Sequence, residues 1–183
     1  ELASHQGFFA RVLGRTPRLA GVLLAFGTMG DHALAVRDFA EAERIIRGNF
    51  TSAVSILTLC ANHLLASGGG FLIALTSVAG ERGRQSNYLY GAAKGGLDIF
   101  LQGLRNRCHA GGVRVITIRP GFLDTAMTYG LPGLFLVASP EYAARKIVGA
   151  LRRPGDIRYV PWFWRPIMLV IRLIPEVLFK RMR

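Results

Sequence analysis

Cysteine is scarce in this chain of 183 residues, and no histidine cluster is present. The two cysteines, Cys60 and Cys108, lie far apart and form no CxxC pair, which excludes a disulfide framework and predicts free buried thiols. Because the histidines show no metal-binding spacing, we expect no metal site; they are His5, His32, His63 and His109. With no signal peptide visible, we expect a cytoplasmic protein.

Acidic residues are also few: 11 Asp and Glu stand against 23 Lys and Arg, a formal net charge of +12. Such a charge fits nucleic acid, a membrane surface, or an anionic substrate or cofactor. Nucleic-acid-binding proteins concentrate their cations in patches with interleaved aromatic side chains. Here the cations are dispersed except at the C-terminus, so we expect no nucleic-acid partner; a steep salt dependence of DNA affinity would contradict this.

Long hydrophobic runs are absent as well, although 51% of the residues are apolar and 19% are charged, as in a packed domain. Short apolar runs predict buried strands at 22–25, 71–75, 113–118 and 157–160, and helical patterns occupy 38–65, 88–109 and 141–151. This alternation predicts an α/β fold with a doubly wound, Rossmann-like parallel sheet. Ligands bind such sheets beyond the carboxyl ends of the strands, here at Gly27, Ser77 and Pro120.

One pair of residues after the second strand carries acid–base chemistry. Tyr90 and Lys94 lie four residues apart, on one face of the predicted helix. The lysine charge favours the phenolate and is expected to lower the pKa of Tyr90 toward neutrality. Ser77 ends the preceding strand, and its hydroxyl is able to join the phenol at one carbonyl oxygen. Alone, a Tyr-x-x-x-Lys pattern is common by chance.

Three segments in order, residues 75–80, 90–98 and 118–125, make residues 20–160 resemble the short-chain dehydrogenase/reductase family. The resemblance implies that Tyr90 exchanges a proton with the substrate oxygen and that Ser77 orients the substrate carbonyl. It implies that Lys94 lowers the Tyr90 pKa and holds the nicotinamide ribose. Asn49 matches the asparagine that supports a proton-relay water; its alternative is a polar helix residue bonded to backbone. The implied NAD or NADP contacts are Gly27, Tyr90, Lys94, Pro120, Gly121, Leu123 and Thr125.

Two departures from the family pattern stand near the first predicted strand. The family's Asn-Asn-Ala-Gly is replaced by residues 24–27, and no TGxxxGxG turn precedes it. We therefore expect a Rossmann-like catalytic domain, residues 1–160, that lacks the first strands and helices of the family. By itself this form is expected to bind no cofactor and to cover its open flank with residues 1–20 or another subunit. The alternative is a catalytically silent reductase acting as an oligomerisation or binding module.

The C-terminal segment, residues 161–183, is basic and apolar. Its longest apolar stretch is too short to span a bilayer, so it is expected to pack on a subunit or on a membrane surface. Together with residues 25–31 and 79–84, it resembles decaprenylphosphoryl-ribose keto-reductases, which implies a lipid-linked sugar substrate. The family also implies a homo-oligomer, a dimer or tetramer, paired through the helices at 38–65 and 88–109.

Overall fold

A computed structural model describes residues 1–130 and 133–182. Its strands form one sheet with parallel neighbours in the order β1-β2-β3-β4. The strands are β1 (Gly21–Leu24), β2 (Gly70–Leu75), β3 (Val113–Pro120) and β4 (Ile157–Val160). The predicted α/β fold with a Rossmann-like parallel sheet is confirmed. Because all strands run in the same direction, their carboxyl ends meet at one edge of the sheet.

Helices cover both faces of this sheet. They are α1 (His5–Arg15), α2 (His32–Ala35), α3 (Phe39–Ile46), α4 (Ser52–Ala66), α5 (Tyr88–His109), α6 (Pro140–Gly149), α7 (Trp164–Leu173) and α8 (Glu176–Phe179). A π-helical turn, Arg47–Thr51, joins α3 to α4, so the helix predicted at 38–65 is interrupted. The helix predicted at 141–151 ends earlier, in a 3-10 turn at Ala150–Arg152.

Alternate side chains of β2 and β3 enter two cores, as expected for strands buried on both faces. Leu72 lies in the core shared with α4 and α5, while Ile73 lies in the core shared with α6. The N-terminal segment packs on α4, where Phe9 meets the His63 ring edge-on. On the opposite face Leu23 of β1 remains 49% exposed.

The C-terminal segment packs on its own chain through one face of α7. Trp164 and Met168 are fully buried there against Val78 and Phe122. The other face stays in solvent, and Leu173 is 72% exposed. In the described residues, no helix has the length and apolar content needed to cross a bilayer. External packing of this face, on a subunit or a membrane, stays a prediction, as does pairing of subunits through α4 and α5.

Candidate active site

A cavity of about 430 Å³ opens where β1, β2 and β3 end. Its lining includes all the predicted site residues except Asn49, namely Gly27, Ser77, Tyr90, Lys94, Pro120, Gly121, Leu123 and Thr125. A larger cavity of about 590 Å³ lies between α6 and β4, and the predicted site residues are not part of its lining. We place the candidate site in the smaller cavity because the reactive side chains converge there.

Glycines on α5 bring its side chains close to the end of β2. A Cβ at Gly91 would lie 2.7 Å from the carbonyl oxygen of Ala79, and one at Gly95 would lie 2.7 Å from that of Gly80. Both neighbours belong to the turn that Ser77 caps, where Ser77 Oγ accepts a hydrogen bond of 3.1 Å from the Ala79 N–H. The glycine spacing therefore sets the distance between the tyrosine–lysine pair and Ser77.

Tyr90 is a buried phenol, with 8% of its surface exposed. Burial raises the pKa of Tyr90 above its ordinary value, and the influence of the Ser77 hydroxyl opposes that shift. This direction is opposite to the one predicted from the charge of Lys94. The Lys94 ammonium donates to the Leu75 carbonyl oxygen at 3.0 Å and stands 5.9 Å from the centre of the Tyr90 ring.

Lys94 is itself buried, with 3% of its surface exposed. Removal from water disfavours the ammonium form and lowers the pKa of Lys94 from 10.5 to about 8. Among the described residues, its hydrogen-bond partner is the Leu75 carbonyl and not a carboxylate. A buried cation held in this way at the mouth of a sheet is a feature of functional sites.

The depressed pKa of Lys94 predicts a stability that rises with pH. Between about 8 and 10.5 the unfolded chain keeps the lysine proton while the folded chain releases it, so the burial penalty falls as pH increases. Relative to Lys94→Met, the wild type should gain about 1 kcal/mol of unfolding free energy between about pH 7.5 and about pH 9. Urea unfolding of both proteins measures this gap, and a gap independent of pH would contradict the assignment.

Asn49 lies behind Gly27, in the π-helical turn between α3 and α4. Its amide donates to the carbonyl oxygens of Thr28 and Ile45 at 2.7 and 2.8 Å, and its Oδ1 accepts from the Thr28 N–H at 3.1 Å. The side chain is therefore occupied by backbone groups, which is the alternative considered from the sequence. A Cβ at Gly27 would lie 2.7 Å from Asn49 Oδ1 and 3.1 Å from Lys94 Nζ. Asn49 thus holds the β1 end beside Lys94. The π turn that carries Asn49 is itself a kind of turn that is frequent at functional sites.

The loop after β3 forms the opposite wall of the cavity. Gly121 contacts the Trp164 indole so closely that any Cβ there would overlap the ring. Further along, the Thr128 hydroxyl donates to the carbonyl oxygens of Leu123 and Thr125. These contacts fix the backbone at the positions predicted to meet the nicotinamide.

Sequence reasoning missed an ion-pair network beneath this loop. The guanidinium of Arg119, on β3, donates to both carboxylate oxygens of Asp98 on α5, at 2.9 and 2.7 Å. It also donates to the Tyr159 hydroxyl at 2.7 Å, and that hydroxyl donates to Glu81 at 2.8 Å. The sequence feature that could have revealed this network is Arg119, a charged residue inside the apolar run of β3. A charge in a buried strand requires a buried partner of opposite charge.

Comparison with known proteins agrees with this geometry. The sequence profile of the short chain dehydrogenase family matches residues 1–132. The chain belongs to the short-chain dehydrogenase family. An uncharacterized oxidoreductase of Mycobacterium tuberculosis is 37% identical over 182 residues, covering 100% of this chain and 73% of that protein. One of Streptomyces coelicolor is 38% identical over 163 residues, or 88% of this chain and 64% of that protein.

Solved structures of short-chain dehydrogenases share the fold. One from Burkholderia cenocepacia, solved in complex with NADP, superposes with a TM-score of 0.82 over 99% of this chain and 74% of its own, at 20% identity. Family membership, together with the two oxidoreductase relatives, makes this short-chain dehydrogenase an enzyme and an oxidoreductase. Within residues 1–130 and 133–182, no three His, Cys, Asp or Glu side chains are grouped as metal ligands.

Proposed function

We propose that this short-chain dehydrogenase transfers a hydride between NAD(H) or NADP(H) and a ketone or secondary alcohol. The observation that carries the proposal is the meeting of Ser77, Tyr90 and Lys94 in one cavity at the ends of the strands. The nicotinamide cofactor, when bound, supplies or accepts the hydride. The residues of this chain bind the reactants and move the proton that balances the reaction.

Tyr90 is the general acid for carbonyl reduction and the base for the reverse reaction. Since burial raises its pKa, the phenol holds its proton at neutral pH and has it available for the carbonyl oxygen. The Ser77 hydroxyl, which lines the same cavity as the phenol, is the second donor to that oxygen. The Lys94 ammonium stabilises the phenolate that remains after proton transfer and donates to the ribose hydroxyls.

The residues present fit the nicotinamide half of a dinucleotide. Gly27 leaves space where a side chain would crowd the Lys94 ammonium, and both residues line the cavity. The loop at Pro120, Gly121, Leu123 and Thr125 faces it across the cavity. We assign Asn49 a supporting role, since its bonds to Thr28 hold the strand end that carries Gly27.

The alternative, a catalytically silent binding module, does not explain why Lys94 is buried. A buried ammonium without a carboxylate partner opposes folding, and a module that only packs against a partner gains nothing from it. Catalysis gives the charge a role at the phenol. The enzyme proposal therefore explains a costly group that the alternative does not.

The proposal is tested by following nicotinamide absorbance with NADH and NADPH over a panel of ketones. Turnover by this chain alone would also show that the expectation of no cofactor binding, drawn from the missing glycine-rich turn, is wrong. We expect turnover that falls by at least about tenfold in Ser77→Ala, because one donor to the developing oxyanion is lost. Failure of every ketone with both cofactors would refute the proposal for this chain.

We further propose a position at an anionic membrane surface, which would suit a lipid-linked sugar substrate. Trp162 and Val170 in the C-terminal segment are 72% and 65% exposed, and the cations Arg165 and Lys180 of the same segment are also exposed. Apolar side chains flanked by cations bind anionic lipid surfaces. The protein should sediment with phosphatidylserine vesicles and not with phosphatidylcholine vesicles, and Val170→Glu should release it. Equal sedimentation with both lipids would count against this position.

A further inference from the structure

Arg84 is one of the residues that line the active-site cavity. It belongs to the loop between the Ser77 turn and α5, and its side chain is half-buried. In the part of the chain that the structure describes, its hydrogen-bond acceptor is the sulfur of Met168, at 3.8 Å. A thioether is a weak acceptor and carries no charge.

Other arginines of this region are paired with carboxylates. The pairs are Arg82–Glu176, Arg119–Asp98 and Arg172–Glu81. Arg84 differs from them because its partner among the described residues is a thioether and not a carboxylate. Burial lowers the pKa of Arg84, but an arginine keeps its proton at any physiological pH, so the side chain stays charged. A partly desolvated guanidinium in the lining of the tyrosine cavity lacks the anion that would balance it among the described residues.

Asn87, which also lines the cavity, gives a second and independent observation. It is the N-cap residue of α5, a position where an asparagine side chain normally accepts from a backbone N–H of the first turn. Here it makes no such bond, and its Oδ1 is buried without a hydrogen-bond partner in the described structure. A residue of the cavity lining therefore carries an amide oxygen without a hydrogen-bond partner among the described residues.

We propose that Arg84 and Asn87 select an anionic, hydroxyl-bearing substrate, with a carboxylate or phosphate group on Arg84 and a hydroxyl group on Asn87. A guanidinium binds either anion through two parallel hydrogen bonds. A hydroxyl both donates and accepts, so it satisfies the Asn87 amide in either orientation. The assignment rests on the proposed oxidoreductase function, because it names the substrate class for the same cavity.

Binding of small probes tests the proposal without turnover. The probes are glycerate, glycerol phosphate and uncharged glycerol, titrated calorimetrically into the purified protein. The wild type should bind at least one anion about tenfold to a hundredfold more tightly than glycerol, as expected for a hydrogen bond to a charged group. The tighter of the two anions tells whether the site takes a carboxylate or a phosphate.

Three variants separate this site from the general positive charge of the protein and from a merely structural role. Arg84→Gln should remove the preference for the anion, whereas Arg37→Gln, which removes an equal charge from an exposed position outside the cavity lining, should keep it. Asn87→Asp retains the shape and suits a helix N-cap, so folding should be preserved while the new carboxylate in the cavity lining repels the anion. A merely structural role for the pair predicts unchanged binding in Asn87→Asp.

Kinetics with ketones then distinguish this proposal from the oxidoreductase function itself. Arg84→Gln should raise KM for a keto acid by about tenfold or more, with kcat nearly unchanged and neutral ketones unaffected. Equal binding of glycerol and both anions by the wild type, or an undiminished preference in Arg84→Gln, overturns the anion site. Either result leaves turnover of neutral ketones through Tyr90 intact if the proposed function is correct.

Discussion

Replacing Tyr90 by phenylalanine is expected to reduce ketone turnover by about 100- to 10,000-fold, the range for loss of a general acid. The change removes only the phenol oxygen. The ring, which packs with Ala79 and Ile45 in a small core cluster, stays in place. Folding should be preserved, and affinity for the preferred nicotinamide nucleotide should change by less than about threefold because the lysine and the loop after β3 remain.

Tyr88→Phe provides the matched control for this variant. Tyr88 is two residues earlier on α5, is 44% exposed, and meets the His32 ring edge-on with its own ring, which phenylalanine keeps. Its turnover should equal that of the wild type. If Tyr90→Phe retained more than about a tenth of the wild-type rate, another group would be supplying the proton and the assigned role of Tyr90 would be wrong.

Sequence patterns predicted the strands and the location of the site for a physical reason. Strands buried on both faces, such as β2, appear in the sequence as continuous apolar runs. The carboxyl ends of parallel strands lie at one edge of the sheet in any strand order, so residues that follow the apolar runs are expected at that edge. The tyrosine–lysine spacing on α5 depends only on helix geometry. These properties are local, so a single sequence contains them.

Features that depend on three-dimensional environment escaped sequence reasoning. The π turn around Asn49 inserts between two regular helices whose apolar patterns continue on either side. The direction of the Tyr90 pKa shift depends on burial, which the helical spacing to Lys94 does not determine. Arg84 contacts Met168, a residue distant along the chain, so its lack of a carboxylate partner among the described residues is visible only after folding.

The close contact between α5 and the Ser77 turn predicts that Gly95→Ala destabilises the protein. Alanine normally favours a helix interior over glycine by about 1 kcal/mol. At Gly95, however, the added Cβ would lie 2.7 Å from a backbone oxygen of Gly80, which no side-chain rotation relieves. Because the helix must shift away from the turn, we expect a net loss of about 1–3 kcal/mol of unfolding free energy, measured by urea unfolding.

Gly103→Ala tests the same substitution in the same helix without the contact. Nothing lies within 4 Å of a Cβ at Gly103, so helix propensity alone should act and stabilise the protein by about 0.5–1 kcal/mol. Gly95→Ala should also reduce ketone turnover by at least about tenfold, since a 1 Å displacement of Tyr90 from Ser77 disturbs the positioning of both donors. Opposite signs of the two stability changes are the expected result. Stabilisation by both variants would show that glycine at position 95 does not set the distance between Tyr90 and Ser77.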